Sequence, residues 1–276
     1  MRADGDGWVD CLLGHRHWGK HGAAGLLLYT VTDGEAFVLL QHRAPWCHHG
    51  DTWGIPGGAR DSHETTVQAA LREASEEAGI DGERVTIHRE TIDDHGDWSY
   101  TTVVAHAPEQ LATSANAESL ELRWQRLADA GGLEFHPGFG GTWTSIRAVP
   151  VRLLIDLANV VGSRPDGWWR DRAGASTRML AEIGRLNGGL VSLPSGRDGV
   201  VTQITAVTEG HARSATAPDT VRVVPAAGSG DDTLVTVAGE QSDLVVVTAD
   251  RGLAARLPST VEVVGPSWLI GQLGDG

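Results

Sequence analysis

Between residues 22 and 43 two apolar runs, GAAGLLLYTV and EAFVLLQHR, flank Asp33-Gly34. The spacing predicts a β-hairpin, because a glycine in that turn supplies the positive φ that tight hairpins need. The next segment, PWCHHGDTWGIPGGARD, is dense in Gly, Pro and Asp and reads as a loop. Residues 64–79, ETTVQAALREASEEAG, predict a helix that stops at Gly79, a residue suited to the position just past a helix end. Further strands are predicted at 84–92, 98–107 and 119–125.

Near residue 148 the pattern changes. From Val149 continuous apolar strands alternate with helices. VPVRLLIDLANVV leads to a helix near 174–186, and GVVTQITAVTEG and TVRVVP lead to a helix from Asp231. DLVVVTAD is followed by a helix near 251–257, and TVEVVG by a closing helix. Such alternation implies a mainly parallel sheet covered on both faces. Two domains are therefore expected, residues 1–148 and 149–276. No internal repeat or low-complexity linker marks the junction, which rests on the change of pattern alone.

Composition narrows the field. The 276 residues are enough for two cores, and a hydrophobic fraction of 41% is ordinary for a globular protein. No apolar run approaches the roughly 20 residues needed to span a bilayer. The start, MRADGDGWVD, lacks the basic and apolar regions of a secretory signal, so a cytoplasmic location and no membrane partner are expected. A net charge of −14 argues against a surface built for non-specific duplex binding. It does not exclude phosphate chemistry, because bound metal ions invert the local field. Cys11 lies near His15, His17 and His21, and Cys47 near His48 and His49. Zinc favours such ligands, but neither group has the spacing of an established finger. The expectation is small buried thiols among imidazoles.

Three carboxylates in the predicted helix carry chemistry. Glu73, Glu76 and Glu77 stand at i, i+3 and i+4 and so project from one side of it. Alone they repel, so a cation should share their space, and oxygen ligands suit Mg²⁺ or Mn²⁺. Arg72 precedes the group and is placed to orient a carboxylate. Gly57-Gly58 lets backbone approach closely because no Cβ intervenes. The plain alternative is a solvated acidic helix face.

The spacing of Gly58, Glu64 and Arg72-Glu73-Ala74-Ser75-Glu76-Glu77-Ala78-Gly79-Ile80 resembles the Nudix box at every constrained position, with WGIPGG leading into it. Ala74 is smaller than the aliphatic residue often found there. The resemblance covers about residues 20–147 and implies an α/β/α sandwich. It implies hydrolysis of a nucleoside diphosphate linked to a further group, by water attacking a bridging phosphorus. It makes Glu73, Glu76 and Glu77 metal ligands, the Gly58 carbonyl a further one, and Glu64 and Arg72 supports. Family members supply the general base from different places. Glu118 and Glu121, flanking SLELRW, are the candidates here, or else exposed members of a strand. Gly57, Trp53 and His136 are candidates for the substrate pocket. Trp53 is equally suited to stack on a base or to fill a core, and His136 to line the pocket or pair with backbone. An oxidised purine triphosphate such as 8-oxo-dGTP is the first substrate expected.

In the second half, IDLANV, GSGDD and TADR are similar to the NYN members of the PIN-like nuclease superfamily. That resemblance implies Asp156, Asp231, Asp232 and Asp250 as ligands of Mg²⁺ or Mn²⁺, with Glu182 nominated from the first helix. Leu157 stands where that family often has Gly. Asp at a strand end or helix start is also an ordinary cap. GSRPDGWWRDRAG offers Trp168, Trp169, Arg170 and Arg172 to a single strand of RNA, or packs its tryptophans away. The expected architecture is thus α/β, a Nudix domain fused to a PIN-like (NYN) domain. Its expected partners are a nucleotide substrate, single-stranded RNA at the second domain and a second copy of the chain. The alternatives are an RNA-processing enzyme using both sites, or a second half that only binds or dimerises.

Overall fold

The chain opens with a hairpin that three-residue strands are too short to reveal by alternation. Strands β1 (Trp8–Asp10) and β2 (Arg16–Trp18) pair antiparallel as a separate two-stranded sheet. In the computed structural model, which describes residues 4–239 and 243–274, the chain divides into two units, Met1–Arg147 and Ala148–Gly276.

Strands β3 (Ala23–Thr32) and β4 (Glu35–Arg43) form the expected hairpin. Asp33 and Gly34 both take positive φ, 53° and 76°, as a primed turn requires. The two strands pair only from the turn back to Tyr29 and Val38. Beyond that point β5 (Trp53–Gly54) pairs with β4, and β6 (Gly57–Ala59) pairs with β3. Gly57 is required in this position. A Cβ there would stand 2.5 Å from the Gly25 Cα and 2.6 Å from the Ala24 carbonyl oxygen.

Helix α1 (Thr66–Ala78) begins with a capping box between Thr65 and Gln68, and Gly79 ends it at φ 68°. Its buried stripe is Ala69, Ala70, Ala74 and Ala78, packed on Leu26, Leu28, Leu39 and Val103. Small side chains let the helix lie close over the sheet. Ala74, the departure noted in the sequence, belongs to this stripe. The sheet is completed by β7 (Thr86–Asp94), β8 (Ser99–His106) and β9 (Ser119–Arg126). Its order is β5-β4-β3-β8-β7, with β8 parallel to β3 and β9 antiparallel on β4. Helix α2 (Pro137–Ile146) follows, in a glycine-rich stretch for which no helix is predicted from the sequence. Burial of Trp143 and Ile146 accompanies it.

The second unit is built on β10 (Val149–Asp156), α3 (Leu157–Gly162), α4 (Arg172–Ile183), β11 (Leu190–Ser192) and β12 (Asp198–Thr208). It continues through β13 (Val221–Pro225), α5 (Gly230–Ala238), β14 (Leu244–Val247), α6 (Arg251–Ala254), β15 (Glu262–Val264) and α7 (Pro266–Gly274). The strand order is β11-β12-β10-β14-β15, with β13 beside β12. Every pairing is parallel except that of β11. Leu153 and Ile155 face a core with Val160, Met179, Leu180 and Leu269, whereas Leu154 faces one with Leu234, Ala238 and Leu253. Both sheet faces are covered, which is why the strands read as unbroken apolar runs. Among the described residues no helix is long and apolar enough to cross a membrane.

Candidate active site

Helix α1 turns Glu73 and Glu77 toward β6. The Gly57 N–H donates to Glu77 Oε2 at 2.9 Å. A Cβ on Gly58 would lie 2.7 Å from the Glu73 carboxylate, so only glycine admits this approach. Glu77 is buried, the Glu73 side chain nearly so, and the Glu76 side chain is 59% exposed at the rim. Burial raises the pKa of Glu73 and pushes that of Glu77 up to about 7, and Glu118 adds like charge to both. Ionised oxygens deprived of water in this way call for a cation.

Arg72 answers only part of that demand. Its Nε and Nη2 bind the two oxygens of Glu64 at 2.7 and 3.0 Å, and Nη2 reaches the Ala59 carbonyl oxygen at 2.9 Å. Nη1 donates to Glu73 at 2.7 Å and to Glu76 at 3.2 Å. Glu64 also accepts from the Asp61 N–H, and the Arg72 bonds hold its pKa below the usual carboxylate range. One guanidinium is thus shared by three carboxylates, while Glu77 and Glu118 receive none of it. The glutamates are not among the groups of described residues whose ligand atoms all fall within 4.8 Å of one another. Like charge keeps them apart, and Arg72 draws Glu73 and Glu76 to itself. The oxygen-only donor set, desolvated against two glycines, fits a hard divalent cation.

The other nominated residues separate clearly. Glu118 lies in the loop before β9, its carbonyl bonded to the Ala44 N–H at 2.8 Å, and its charge bears on Glu73 and Glu77. Glu121 does not join them. It accepts both Nε and Nη2 of Arg123 at 2.7 and 2.8 Å and pairs with His42 across the ladder. Trp53 is not an open stacking face. It is 7% exposed, stacked on His42 at 4.8 Å, with the Arg123 guanidinium 4.5 Å from its ring. His136 caps α2 by accepting from the Gly138 N–H, and its ring lies 4.9 Å from that of His49.

Two residues near the glutamates carry no sequence signal. Arg43, the last residue of β4, bonds the His48 carbonyl, and its charge acts on Glu77, Tyr100 and His136. Tyr100 on β8 brings its hydroxyl beside Gly57, where a Cβ would meet it at 2.8 Å. Burial and then the charge of Glu77 hold that phenol protonated well above its usual range.

Burial, Arg43 and the neighbouring imidazoles push His136 down to about 4 from 6.5. The unfolded chain therefore takes up a proton before the folded one does. The stabilising contribution is complete above pH 6.5 and disappears as pH falls toward about 4, a change of up to about 3 kcal/mol. His136→Asn keeps a capping acceptor and should flatten this part of the profile. Urea unfolding of both proteins at pH 7 and pH 5 measures the difference.

In the second unit Asp156 ends β10, with Oδ2 accepting from the Thr248 hydroxyl at 2.8 Å and Oδ1 from the Asn159 N–H at 3.1 Å. Burial raises its pKa, and Asp231 and Glu209 raise it further. Glu209, which the sequence reading did not single out, also accepts from the Gly230 N–H. Asp232 is instead paired with Arg256, and Asp250 caps α6 through the Gly252 and Leu253 N–H groups. Glu182 is paired with Arg164 at 2.8 Å. Trp168 packs on the core of this unit, with Arg172 5.3 Å from its ring, while Trp169 is exposed.

Comparison with known proteins agrees with the first unit. The NUDIX domain family matches residues 19–143. A Mycobacterium tuberculosis protein named "Putative 8-oxo-dGTP diphosphatase 3" is 51% identical over 157 residues, covering 54% of this chain and 72% of that one. A Bifidobacterium longum nucleoside triphosphate pyrophosphatase/Nudix hydrolase fusion protein is 44% identical over 133 residues, 45% of this chain and 27% of its own length. Among solved structures, a Nudix hydrolase from M. smegmatis, RenU, is 51% identical and covers 51% of this chain and 92% of its own, with a TM-score of 0.49. With the box on α1 and a relative 51% identical over 72% of its length, the chain belongs to the Nudix family and is a Nudix hydrolase, a pyrophosphohydrolase of nucleoside diphosphate-linked substrates.

Proposed function

We propose that this enzyme hydrolyses an oxidised purine nucleoside triphosphate of the 8-oxo-dGTP type, with Mg²⁺ or Mn²⁺ held by Glu73, Glu76, Glu77 and the Gly58 carbonyl. The observation that carries the reading is the desolvated pair Glu73 and Glu77, set against Gly57-Gly58 with Glu76 at the rim. The substrate class rests on the relative at 51% identity and on a Proteus vulgaris protein named 8-oxo-dGTP diphosphatase, 39% identical over 67 residues. When bound, the ion neutralises phosphate charge and lowers the pKa of water. The side chains do the rest. Arg72 and Glu64 hold Glu73 and Glu76 in place, Glu118 takes the proton of the attacking water, and Arg43 binds a phosphate oxygen.

A nucleotide panel with Mg²⁺ or Mn²⁺, its products identified by mass, tests this. The expected products are a monophosphate and pyrophosphate, formed fastest from 8-oxo-dGTP. Preferential cleavage of a dinucleotide or nucleotide sugar into two phosphorylated fragments would replace the substrate class while leaving the chemistry intact.

A second reading concerns residues 149–276, for which a PIN-like (NYN) domain acting on single-stranded RNA is favoured by one observation. Asp156 is buried at the carboxyl end of a parallel strand, with Asp231 and Glu209 close enough to raise its pKa. Ligands gather at that edge in open parallel sheets. Asp156→Asn should abolish metal-dependent cleavage of a single-stranded RNA and leave nucleotide hydrolysis unchanged. If the RNA is uncut by the parent protein too, the nuclease reading fails and the reading as a binding or dimerisation module remains.

A further inference from the structure

Away from the glutamates, one side-chain group has the composition and spacing of a tetrahedral metal centre. Cys11 directly follows β1, His15 and His17 lie on the return of the same hairpin, and His95 follows β7. One ligand atom from each lies within 4.8 Å of all the others. Cys11 Sγ is 3.8 Å from His95 Nδ1, and that nitrogen is 3.4 Å from His15 Nδ1. A tetrahedral zinc ion with Zn–S of about 2.3 Å and Zn–N of about 2.05 Å requires S···N near 3.6 Å and N···N near 3.3 Å. The two separations already match.

Hydrogen bonding alone does not account for the group. His95 Nδ1 faces both the Cys11 sulfur and another ring nitrogen, and carries at most one proton to share between them. His17 Nε2 is buried without a hydrogen-bond partner among the described residues, although its ring is held firmly, stacked on Trp98 at 3.8 Å and 7°. Behind His95, the Asp93 carboxylate lies 3.5 Å from Nε2, the arrangement that fixes a ligating histidine with its other nitrogen toward the ion.

We propose that Cys11, His15, His17 and His95 form a zinc site that staples the N-terminal hairpin to the β7–β8 turn. The hairpin needs such a link. It has three-residue strands, lies upstream of the matched family residues 19–143, and packs on a small apolar cluster of Cys11, Ala23 and Trp98, flanked by Val9 and Tyr100. The turn is shaped to meet it. Asp97 accepts from the Leu12 N–H at 2.8 Å, and Trp98 Nε1 donates to the Gly19 carbonyl oxygen at 2.8 Å. The sequence obscures the site because its fourth ligand is 78 residues beyond His17, whereas His21, the nearer histidine, is not part of the group.

Cobalt reports on the site directly. The full chain, purified without a histidine tag and stripped with chelator, is titrated with Co²⁺ in saturating Mg²⁺. One equivalent should give a sulfur-to-cobalt charge-transfer band and tetrahedral d–d bands, both erased by one equivalent of Zn²⁺. Cys11→Ser should lose the charge-transfer band and Cys47→Ser should keep it. Asp93→Asn, a change at a half-exposed carboxylate that leaves folding intact, should weaken zinc binding by about 10–100-fold. Zinc removal should speed amide exchange in residues 8–18 and 94–98 and leave α1 unchanged. Absence of the band in the parent protein, its survival in Cys11→Ser, its loss in Cys47→Ser, or an Asp93→Asn affinity equal to the parent's would overturn the proposal.

Discussion

Glu77→Gln lowers turnover of the preferred nucleotide by about a thousandfold or more, equivalent to roughly 4 kcal/mol of barrier. The amide keeps the shape of the side chain and can still accept the Gly57 N–H bond, so the loss follows from the missing charge. The same change has the opposite effect on the fold. In chelator-treated protein the native carboxylate is 5% exposed, and among the described residues no guanidinium hydrogen-bonds to it, Arg43 acting only through its charge. Removing a poorly solvated charge should stabilise the metal-free protein by at least about 1 kcal/mol. The parent should gain melting temperature when Mg²⁺ or Mn²⁺ is added, through preferential binding to the folded state, and Glu77→Gln should gain little. Calorimetry with and without metal, beside steady-state rates, reads all three effects. A variant that loses activity yet keeps the full metal-induced stabilisation would mean that Glu77 acts on substrate rather than on the ion.

Arg72→Lys should be nearly as damaging, despite conserving charge. Arg72 makes five bonds in fixed directions, two of them to the oxygens of one Glu64 carboxylate. A lysine ammonium offers three donors from one point and cannot span Glu64, Glu73 and the Ala59 carbonyl together. The Glu64 side chain is 10% exposed and that of Glu73 14%, so the stranded carboxylates are poorly solvated. With Arg72 itself 29% exposed, water recovers part of the loss, and the expected destabilisation is about 2–3 kcal/mol. Turnover should fall by at least about tenfold, since Glu73 and Glu76 lose their common anchor. Thermal unfolding and kcat measured together separate the two. Unchanged stability with lost turnover would place Arg72 on the substrate instead.

Much of this site was legible because it is local in sequence. Glu73, Glu76 and Glu77 share one helical turn, and Arg72 is their neighbour, so helical period alone sets their relation. Gly57 and Gly58 stood out as residues without Cβ, and both prove to sit where a Cβ would collide. Residues brought in by tertiary pairing were harder to find. Arg43 closes one strand and Tyr100 lies within another, and nothing in their surroundings distinguishes them from ordinary strand residues. Glu118 and Glu121 were inseparable until the fold turned one toward the glutamates and gave the other to Arg123. Trp53 could serve two purposes, and the fold places it nearly buried, between His42 and the Arg123 guanidinium.

The fold divides along the same line. Long elements with a steady period, α1 and the strands of the parallel sheet, announce themselves. The β1–β2 hairpin and the two short strands β5 and β6 do not, since two or three residues cannot establish alternation. Helix α2 was hidden by its glycines, which lower intrinsic helix propensity while tertiary burial of Trp143 and Ile146 stabilises the helix. In the second unit, Asp232 and Asp250 illustrate the ambiguity of acidic residues at helix starts, where capping and pairing absorb carboxylates that sequence alone would assign to a metal.

Diffraction from crystals equilibrated with Mn²⁺ and a non-hydrolysable nucleotide, collected for the anomalous signal of manganese, tests the assignment of the glutamates most directly. The expected result is a peak bonded to oxygens of Glu73, Glu76 and Glu77, with nucleotide phosphate beside it. Manganese found only among imidazoles, with the three carboxylates unligated, would contradict it.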